Sequence, residues 1–335
     1  MAMGTKGIAV VGTLIADIHY KVDTYPKPGN LTNIRGMVNY VGGTGNMLVD
    51  IAKMDPQVPL KACCIIGEDA SGDLMKAELE KYPSIDTRNL TREGESSVTL
   101  VMNAQDTKQR TFFHNPAAND LFEEKYIDWD VIDADIFHLE YLLLMAKVDS
   151  PDEEYGTHGA RILHDAQQRG MKTSIDVVSE QSDRAEKIVS AALKYTDYCI
   201  INEVEAEGAT GVILTEDEVL DEEKLKVALK KLHEKGVATW AVIHSPMCSY
   251  GYDCVKDEFV KVPSLKLPEG YIKGTIGAGD AYCSGVLYGA YKGMTLEKSM
   301  ALGTASAACS LSEVNGTDGL RPVDEVWKLH EELRK

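Results

Sequence analysis

The sequence predicts an α/β protein, a three-layer α/β/α sandwich with a mainly parallel central sheet, and two strand-like stretches outside it that either form a small β lid or decorate the surface. Three observations predict it. Short, near-continuously apolar and β-branched runs alternate with longer amphipathic ones, as in strands covered on both faces and joined by helices. Two half-polar, strand-like stretches, about 18–41 and 96–115, break that alternation. The last third is helical and rich in small residues. The 335 residues are 44% hydrophobic and 26% charged, enough apolar material for a sizeable core. No linker or internal repeat divides the chain, so a single domain over 1–335 is expected.

Taken in order, strands are expected at 8–11, 62–66, 136–139, 173–177, 198–201 and 240–243. Helices are expected at 46–54, where Met47, Ile51 and Met54 share a stripe, and at 154–169, 184–193 and 222–234. In 222–234, Leu225, Ala228, Leu229 and Leu232 recur at helical spacing. Three helices, 278–291, 296–311 and 323–333, close the chain. Of the two exceptions, 20–40 holds Pro26, Pro28, Gly29 and Gly36, and 96–114 reads as a hairpin with strands at 97–102 and 110–113. Together they make either a lid over one end of the sheet or surface decoration. The acidic run 216–223 reads as a solvated helix start.

Composition removes whole classes of function. Lys plus Arg number 35 against 53 Asp plus Glu, a formal charge of -18, which repels phosphate backbones and anionic lipid and argues against nucleic acid as a partner. No apolar run approaches 18 residues, and the start, Met1 to Lys6, is too short and wrongly flanked for a signal peptide. Seven scattered cysteines without a CxxC suit reduced thiols in a cytoplasmic protein and give no zinc site. Cys283 is expected only to pack.

Four segments carry chemistry. Gly274-Thr275-Ile276-Gly277-Ala278-Gly279-Asp280 precedes a helix rich in alanine and glycine. Glycines there let backbone N–H groups and the helix dipole form an anion site. A carboxylate beside it suits an acceptor hydroxyl that must lose a proton during phosphoryl transfer; an ordinary glycine turn with a helix-start Asp is the rival. Asn202 and Glu205 follow a strand and sit three apart at a helix start. They could hold water-coordinated Mg²⁺ near phosphate or simply cap the helix. Asp17 follows the first strand, where it could accept hydrogen bonds from substrate hydroxyls. Gly42, Gly43 and Asn46 precede a helix and permit close approach of a ligand. P-loop, dinucleotide-binding, zinc-protease and G-x-S-x-G signatures are absent.

On these residues the chain resembles the ribokinase-like, or PfkB, family of carbohydrate and nucleoside kinases. The family element D-T-x-G-A-G-D is matched by Thr275, Gly277, Ala278, Gly279 and Asp280, with Gly285 beyond; N-x-x-E is matched by Asn202 and Glu205; Pro116-Ala117-Ala118-Asn119 is similar to P-G-A-N, and His138-Leu139-Glu140 to Q-L-E. The resemblance runs from about residue 8 to 333. It implies ATP-dependent phosphorylation of a hydroxyl of a small sugar. Asp280 would be the general base and the backbone of Gly277, Ala278 and Gly279 the anion hole. It further implies sugar contacts from Asp17, Gly42, Gly43, Asn46, Asn119 and Glu140. Nucleotide contacts would involve Asn202, Ser245, Thr275, Gly277 and Gly279, and Mg²⁺ would depend on Asn202 and Glu205. His114, ending the second lid strand, is either an acceptor contact or an exposed strand end, and the two irregular stretches resemble the family's β lid, which implies a homodimer.

Departures qualify these expectations. The resemblance also implies a monovalent cation, but Gly274 replaces the first Asp, which relatives use in that site. Ile15 stands where ribokinases carry a sugar-binding Asn, Asn46 is one residue short of its family position, and His244-Ser245-Pro246 replaces Thr-x-Gly beside the nucleotide. A nucleoside kinase, using Tyr20, Tyr25, Tyr40 or Phe113 as a platform for the base, is the alternative within the family; Glu140 favours a bare sugar, because a carboxylate suits hydroxyl donors. A catalytically silent ligand-binding protein on the same fold is the alternative outside it.

Overall fold

The computed structural model describes residues 5–107, 109–180, 183–216 and 219–334. Met1 to Gly4, and Asp217 and Glu218 of the acidic run, lie outside them. In chain order the elements begin β1 (Ile8–Gly12), β2 (Leu14–Val22), β3 (Ile34–Gly43), α1 (Thr44–Met54), β4 (Leu60–Ile66), α2 (Ala70–Leu79), β5 (Ile85–Arg92), β6 (Val98–Ala104) and β7 (Arg110–Asn115). After two 3₁₀ turns come β8 (Ile136–Leu142), α3 (Ala146–Asp149), β9 (Pro151–Asp152), β10 (Gly156–Thr157), α4 (His158–Gln168), β11 (Lys172–Val177), α5 (Ala185–Leu193), β12 (Tyr198–Asn202) and α6 (Glu203–Thr210). The chain ends with β13 (Thr215–Glu216), β14 (Val219–Leu220), α7 (Glu222–Glu234), β15 (Trp240–His244), β16 (Cys248–Asp253), β17 (Glu258–Pro263), α8 (Ala278–Tyr291), α9 (Leu296–Leu311) and α10 (Val323–Leu333).

Nine strands form one sheet in the order β17-β16-β15-β12-β11-β8-β1-β4-β5. It is parallel from β15 to β5 and antiparallel across β16 and β17. Alternate residues explain why the parallel strands read as unbroken apolar runs. Ile8, Val10, Ala62, Cys64, Ile200 and Val242 enter one core, beneath residues of α1, α8, α9 and α10. Ala9, Val11, Cys63, Ile65, Cys199 and Ile243 enter the other, beneath α4 to α7. A fully buried aliphatic side chain contributes roughly 1.5–3 kcal/mol, so both faces must be filled and the period-2 signal disappears.

The lid is a four-stranded sheet, β3-β2-β6-β7. β2 pairs antiparallel with β3 and parallel with β6, and β6 pairs antiparallel with β7. The two irregular stretches therefore form one structure. β2 begins two residues after β1 ends, so the lid is an outgrowth of the first strand, and β3 runs back directly into α1.

Three expectations are corrected. The helix expected at 154–169 begins at His158, because 151–157 folds into a small hairpin and the Thr157 hydroxyl accepts from the Ala160 N–H. α2 and β5 were not anticipated. α2 buries only Gly72, Met75 and Leu79, and β5 is an edge strand whose sequence, IDTRNLTR, is polar because much of it meets water. The β16–β17 hairpin was also not anticipated: β17 lies at the opposite edge and is half-exposed.

Candidate active site

The carboxyl ends of β8, β11, β12 and β15 converge beneath the lid, where open α/β sheets bind ligands. α8 starts there. Its cap, Gly277, has φ +73°, and a Cβ added to it would lie 2.5 Å from the Gly316 α-carbon, so this turn requires glycine. The first N–H groups of α8 have no acceptor within the helix. Asp280 lies in that first turn and is buried. Its Oδ2 accepts from the Asn46 side-chain amide at 2.7 Å, and its Oδ1 accepts from the Tyr141 hydroxyl.

Two cavities flank this turn. One, of about 420 Å³, is acidic: Asp17, Asp176, Glu205 and Asp280 line it, with Gly43, Asn46, Tyr141 and, from the lid side, Ile15, Thr99, Val101 and Phe112. The other, of about 470 Å³, is largely apolar: Val204, Pro246, Leu265, Leu267, Ile272, Tyr282, Ala308 and Leu311 line it, with Ser245 and Thr275. Asn202, His244 and Gly279 belong to both. The N-terminus of α8 thus stands between a polar cavity and an apolar one.

Burial governs the charges. It pushes Asp17 up to about 7, against a hydrogen bond from Thr99, and the Asp280 charge adds to the rise. Asp280 is raised by burial, while the Tyr141 and Asn46 hydrogen bonds oppose the rise. Asp176 is raised by burial, then by Glu205 and Asp280. Glu205 is raised by burial, opposed by its backbone and Ser179 hydrogen bonds. Burial pushes His244 down to about 4, so it is neutral at pH 7.

Most of the sequence-predicted residues come together here. Asp17, Gly43, Asn46, Asn202, Glu205, Gly277, Gly279 and Asp280 line the acidic cavity, and Ser245, Thr275 and Ala278 the apolar one. Gly42 packs against the Asp17 carboxylate, with no room for a side chain. Asn46, on the first turn of α1, lines the acidic cavity and donates its side-chain amide to Asp280. Asn202 and Glu205 cap α6 reciprocally, with Glu205 N–H donating to Asn202 Oδ1 and Asn202 N–H to Glu205 Oε2, each at 2.9 Å. They also line the acidic cavity, so the helix cap is part of its wall.

Besides Gly42, three of the predicted residues stand apart from the cavity walls. His114 is exposed on β7 with its Nδ1 3.0 Å from the hydroxyl of the wall residue Thr99. Asn119 is buried, and its Oδ1 accepts from the Leu14 N–H at 3.3 Å, tying the start of β2 to the 3₁₀ turn. Glu140 is wholly buried, and burial raises its carboxyl well above the usual range. Sequence reasoning missed Tyr141, Asp176, Thr99 and Phe112. Asp176 carried a readable signal as an acid at a strand's carboxyl end. Phe112 did not: the period of 2 along β7 decides between it and Phe113, and only the register Val101↔Phe112 shows which one faces inward.

The family model for pfkB family carbohydrate kinases matches residues 5–322. The chain belongs to the PfkB family. It is a kinase. It is 24% identical over 309 residues to a nucleoside kinase of Methanocaldococcus jannaschii, covering 90% of this chain and 89% of that protein. Among solved structures, a ribokinase of Thermotoga maritima superimposes with TM-score 0.78 at 23% identity, over 98% of this chain and 100% of that one. The ribokinase of Arabidopsis thaliana, complexed with ribose and ATP, gives TM-score 0.78 at 19% identity over 99% of each chain. These likenesses establish the ribokinase-like fold. Among the described residues no helix is long and apolar enough to cross a membrane.

The monovalent cation is the one implied group the residues do not fit. A Cβ on Gly274 would lie 2.6 Å from the Val314 carbonyl oxygen and 2.8 Å from that of Glu313. Backbone occupies the space a carboxylate side chain would need. Beside it, the Lys273 ammonium pairs with Glu313 Oε1 at 3.0 Å.

Proposed function

We propose that this kinase transfers the γ-phosphoryl group of ATP to a hydroxyl of a small sugar or sugar-bearing acceptor. A single observation carries the reading: Asp280 stands in the first turn of α8, where a cavity with polar walls meets an apolar one. The apolar slot takes the nucleotide, with Ser245 and Thr275 at its wall. The phosphates reach the free N–H groups at residues 277–279, which stabilise charge on the moving phosphoryl; one such donor contributes about 3–4 kcal/mol in enzymes. The acceptor lies in the acidic cavity against Asp17 and Gly43. Its O–H proton passes to Asp280, its oxygen bonds to the γ-phosphorus, and the bond to the β-phosphate oxygen breaks, its electron pair leaving with ADP.

The residues suit Mg²⁺ held through water. Glu205 and Asn202 are held together at the wall of the acidic cavity, and Asn202 lines the apolar one as well; Mg²⁺ keeps several waters and few protein ligands. When bound, it would neutralise triphosphate charge.

A specific observation favours a nucleoside as acceptor. Phe112, Ile15 and Val101 give the acidic cavity an apolar side beneath the lid, suited to a base, and the Methanocaldococcus relative is named a nucleoside kinase. Glu140, the residue that favoured a bare sugar, does not line the cavity.

The test is ADP release with pentoses, hexoses and nucleosides, comparing wild type with Asp280→Asn. The variant should lose about a thousand-fold or more in turnover while still binding ATP. Equal turnover would defeat the assignment, and a nucleoside-only response would select the second reading.

A further inference from the structure

Asp280 must be ionised to act as a base, yet its surroundings oppose a negative charge. The titratable groups facing it come from five elements: Asp17 on β2, Asp50 on α1, Glu140 and Tyr141 on β8, Asp176 on β11 and Glu205 on α6. No ion pair reaches Asp280 among the described residues. Asp50 shows what this environment does to an acid without help. It is wholly buried, neither carboxyl oxygen has a hydrogen-bond partner, and burial holds it well above the ordinary carboxylate range. Asp280 differs by receiving a neutral donor on each oxygen: the Asn46 amide on Oδ2 and the Tyr141 hydroxyl on Oδ1.

Resting on the kinase reading, we propose that Tyr141 is a positioning residue for the reaction. Its hydroxyl, opposite the Asn46 amide, holds Asp280 as an ionised carboxylate turned toward the acceptor. A hydrogen bond to the charged form favours that form, most strongly where water is excluded. Burial, then the Asp280 charge, keeps the phenol protonated well above its ordinary range, so it stays a donor wherever the enzyme works. Tyr141 neither gives up nor receives a proton in the cycle; it fixes which oxygen lone pair of Asp280 remains open. Because it also lines the acceptor cavity, the acceptor hydroxyl approaches Asp280 beside it.

Tyr141→Phe removes one oxygen and keeps the ring. With saturating ATP and the best acceptor, turnover measured from about pH 5 to 9 should fall ten-fold or more near the acid end, with the acid limb moved up by about one unit. KM for ATP should stay within about two-fold, since the phenol faces the acceptor side. An unmoved limb with turnover within about two-fold of wild type would overturn the role of Tyr141 and leave the kinase reading intact. If wild type releases no ADP with any acceptor, the kinase reading fails. The ¹³C carboxyl titration of Asp280, assigned against Asp280→Asn, then decides: an upward shift in Tyr141→Phe supports the holding role, and an unchanged titration overturns it. If circular dichroism shows that Tyr141→Phe does not fold, 3-fluorotyrosine placed at 141 keeps the shape and donates more strongly. The acid limb, or the carboxyl titration, should then move down, and no movement would overturn the proposal.

Discussion

Asp17 illustrates what a buried carboxylate at the cavity wall costs in stability. Burial raises its carboxyl to about 7, against an unfolded value near 3.9. For an acid raised in this way the folded state holds the extra proton. Stability is therefore greatest below the unfolded value and falls as pH rises through the window between about 4 and 7. Asp17→Asn removes that dependence while keeping an oxygen that can accept from Thr99. At pH 8 the variant should melt a few degrees higher than wild type by calorimetry, with little difference at pH 4, and its KM for the acceptor should rise ten-fold or more. A lower melting temperature at pH 8 would show that Asp17 is not a stored cost. At this scale Asp17, Asn46, Glu205 and Asp280 were legible in the sequence because short polar residues after strands, or at helix starts beside glycine, carry chemical meaning by themselves. Tyr141 was not, since a tyrosine inside an apolar strand reads as core and only its partner distinguishes it.

Among the elements, α8 and the turn before it were the most legible: two glycines and an acid at a helix start leave few other conformations. The interior strands were legible because burial on both faces suppresses polar residues, and the edges β5, β16 and β17 were not, because water permits them. The same turn explains the cation expectation. Ser310 Oγ donates to the Ile276 carbonyl at 3.4 Å, Lys273 N–H to the Leu311 carbonyl at 2.9 Å, and the 313–314 carbonyls close on Gly274. These contacts pack the turn before α8 directly against the end of α9. Turnover should agree within about two-fold in potassium and tetramethylammonium salts of equal ionic strength, which rules out screening as the cause of any difference. Ten-fold activation by potassium would show that the turn opens to admit the ion.

For the whole molecule, the lid carries two apolar surfaces with different consequences. Its inner surface, with Val101 and Phe112, completes the acidic cavity, and there it can limit water access to the phosphoryl group. Its outer parts leave Leu31, Ile34, Met37 and Phe113 in water, Met37 57% exposed and Phe113 49%. The parallel strands of the main sheet spend such residues on their cores, and β3 is in addition an unpaired edge of the lid sheet, the kind of strand that pairs with another chain unless charge or proline blocks it. We take the occupant to be a second copy, because exposed apolar side chains lie along β3, whose one charged residue, Arg35, is paired with Asp23, and the same strand ends in Gly42 and Gly43 beside the acidic cavity. Light scattering at micromolar concentration should give twice the chain mass, and Met37→Asp should give the single mass by placing a desolvated charge in the contact. If the lid is also stiffened by that contact, the monomeric variant should show a raised acceptor KM at nearly unchanged KM for ATP, because only the acceptor cavity has a lid wall. A monomeric wild type would leave the lid a free flap and remove the link between assembly and acceptor binding.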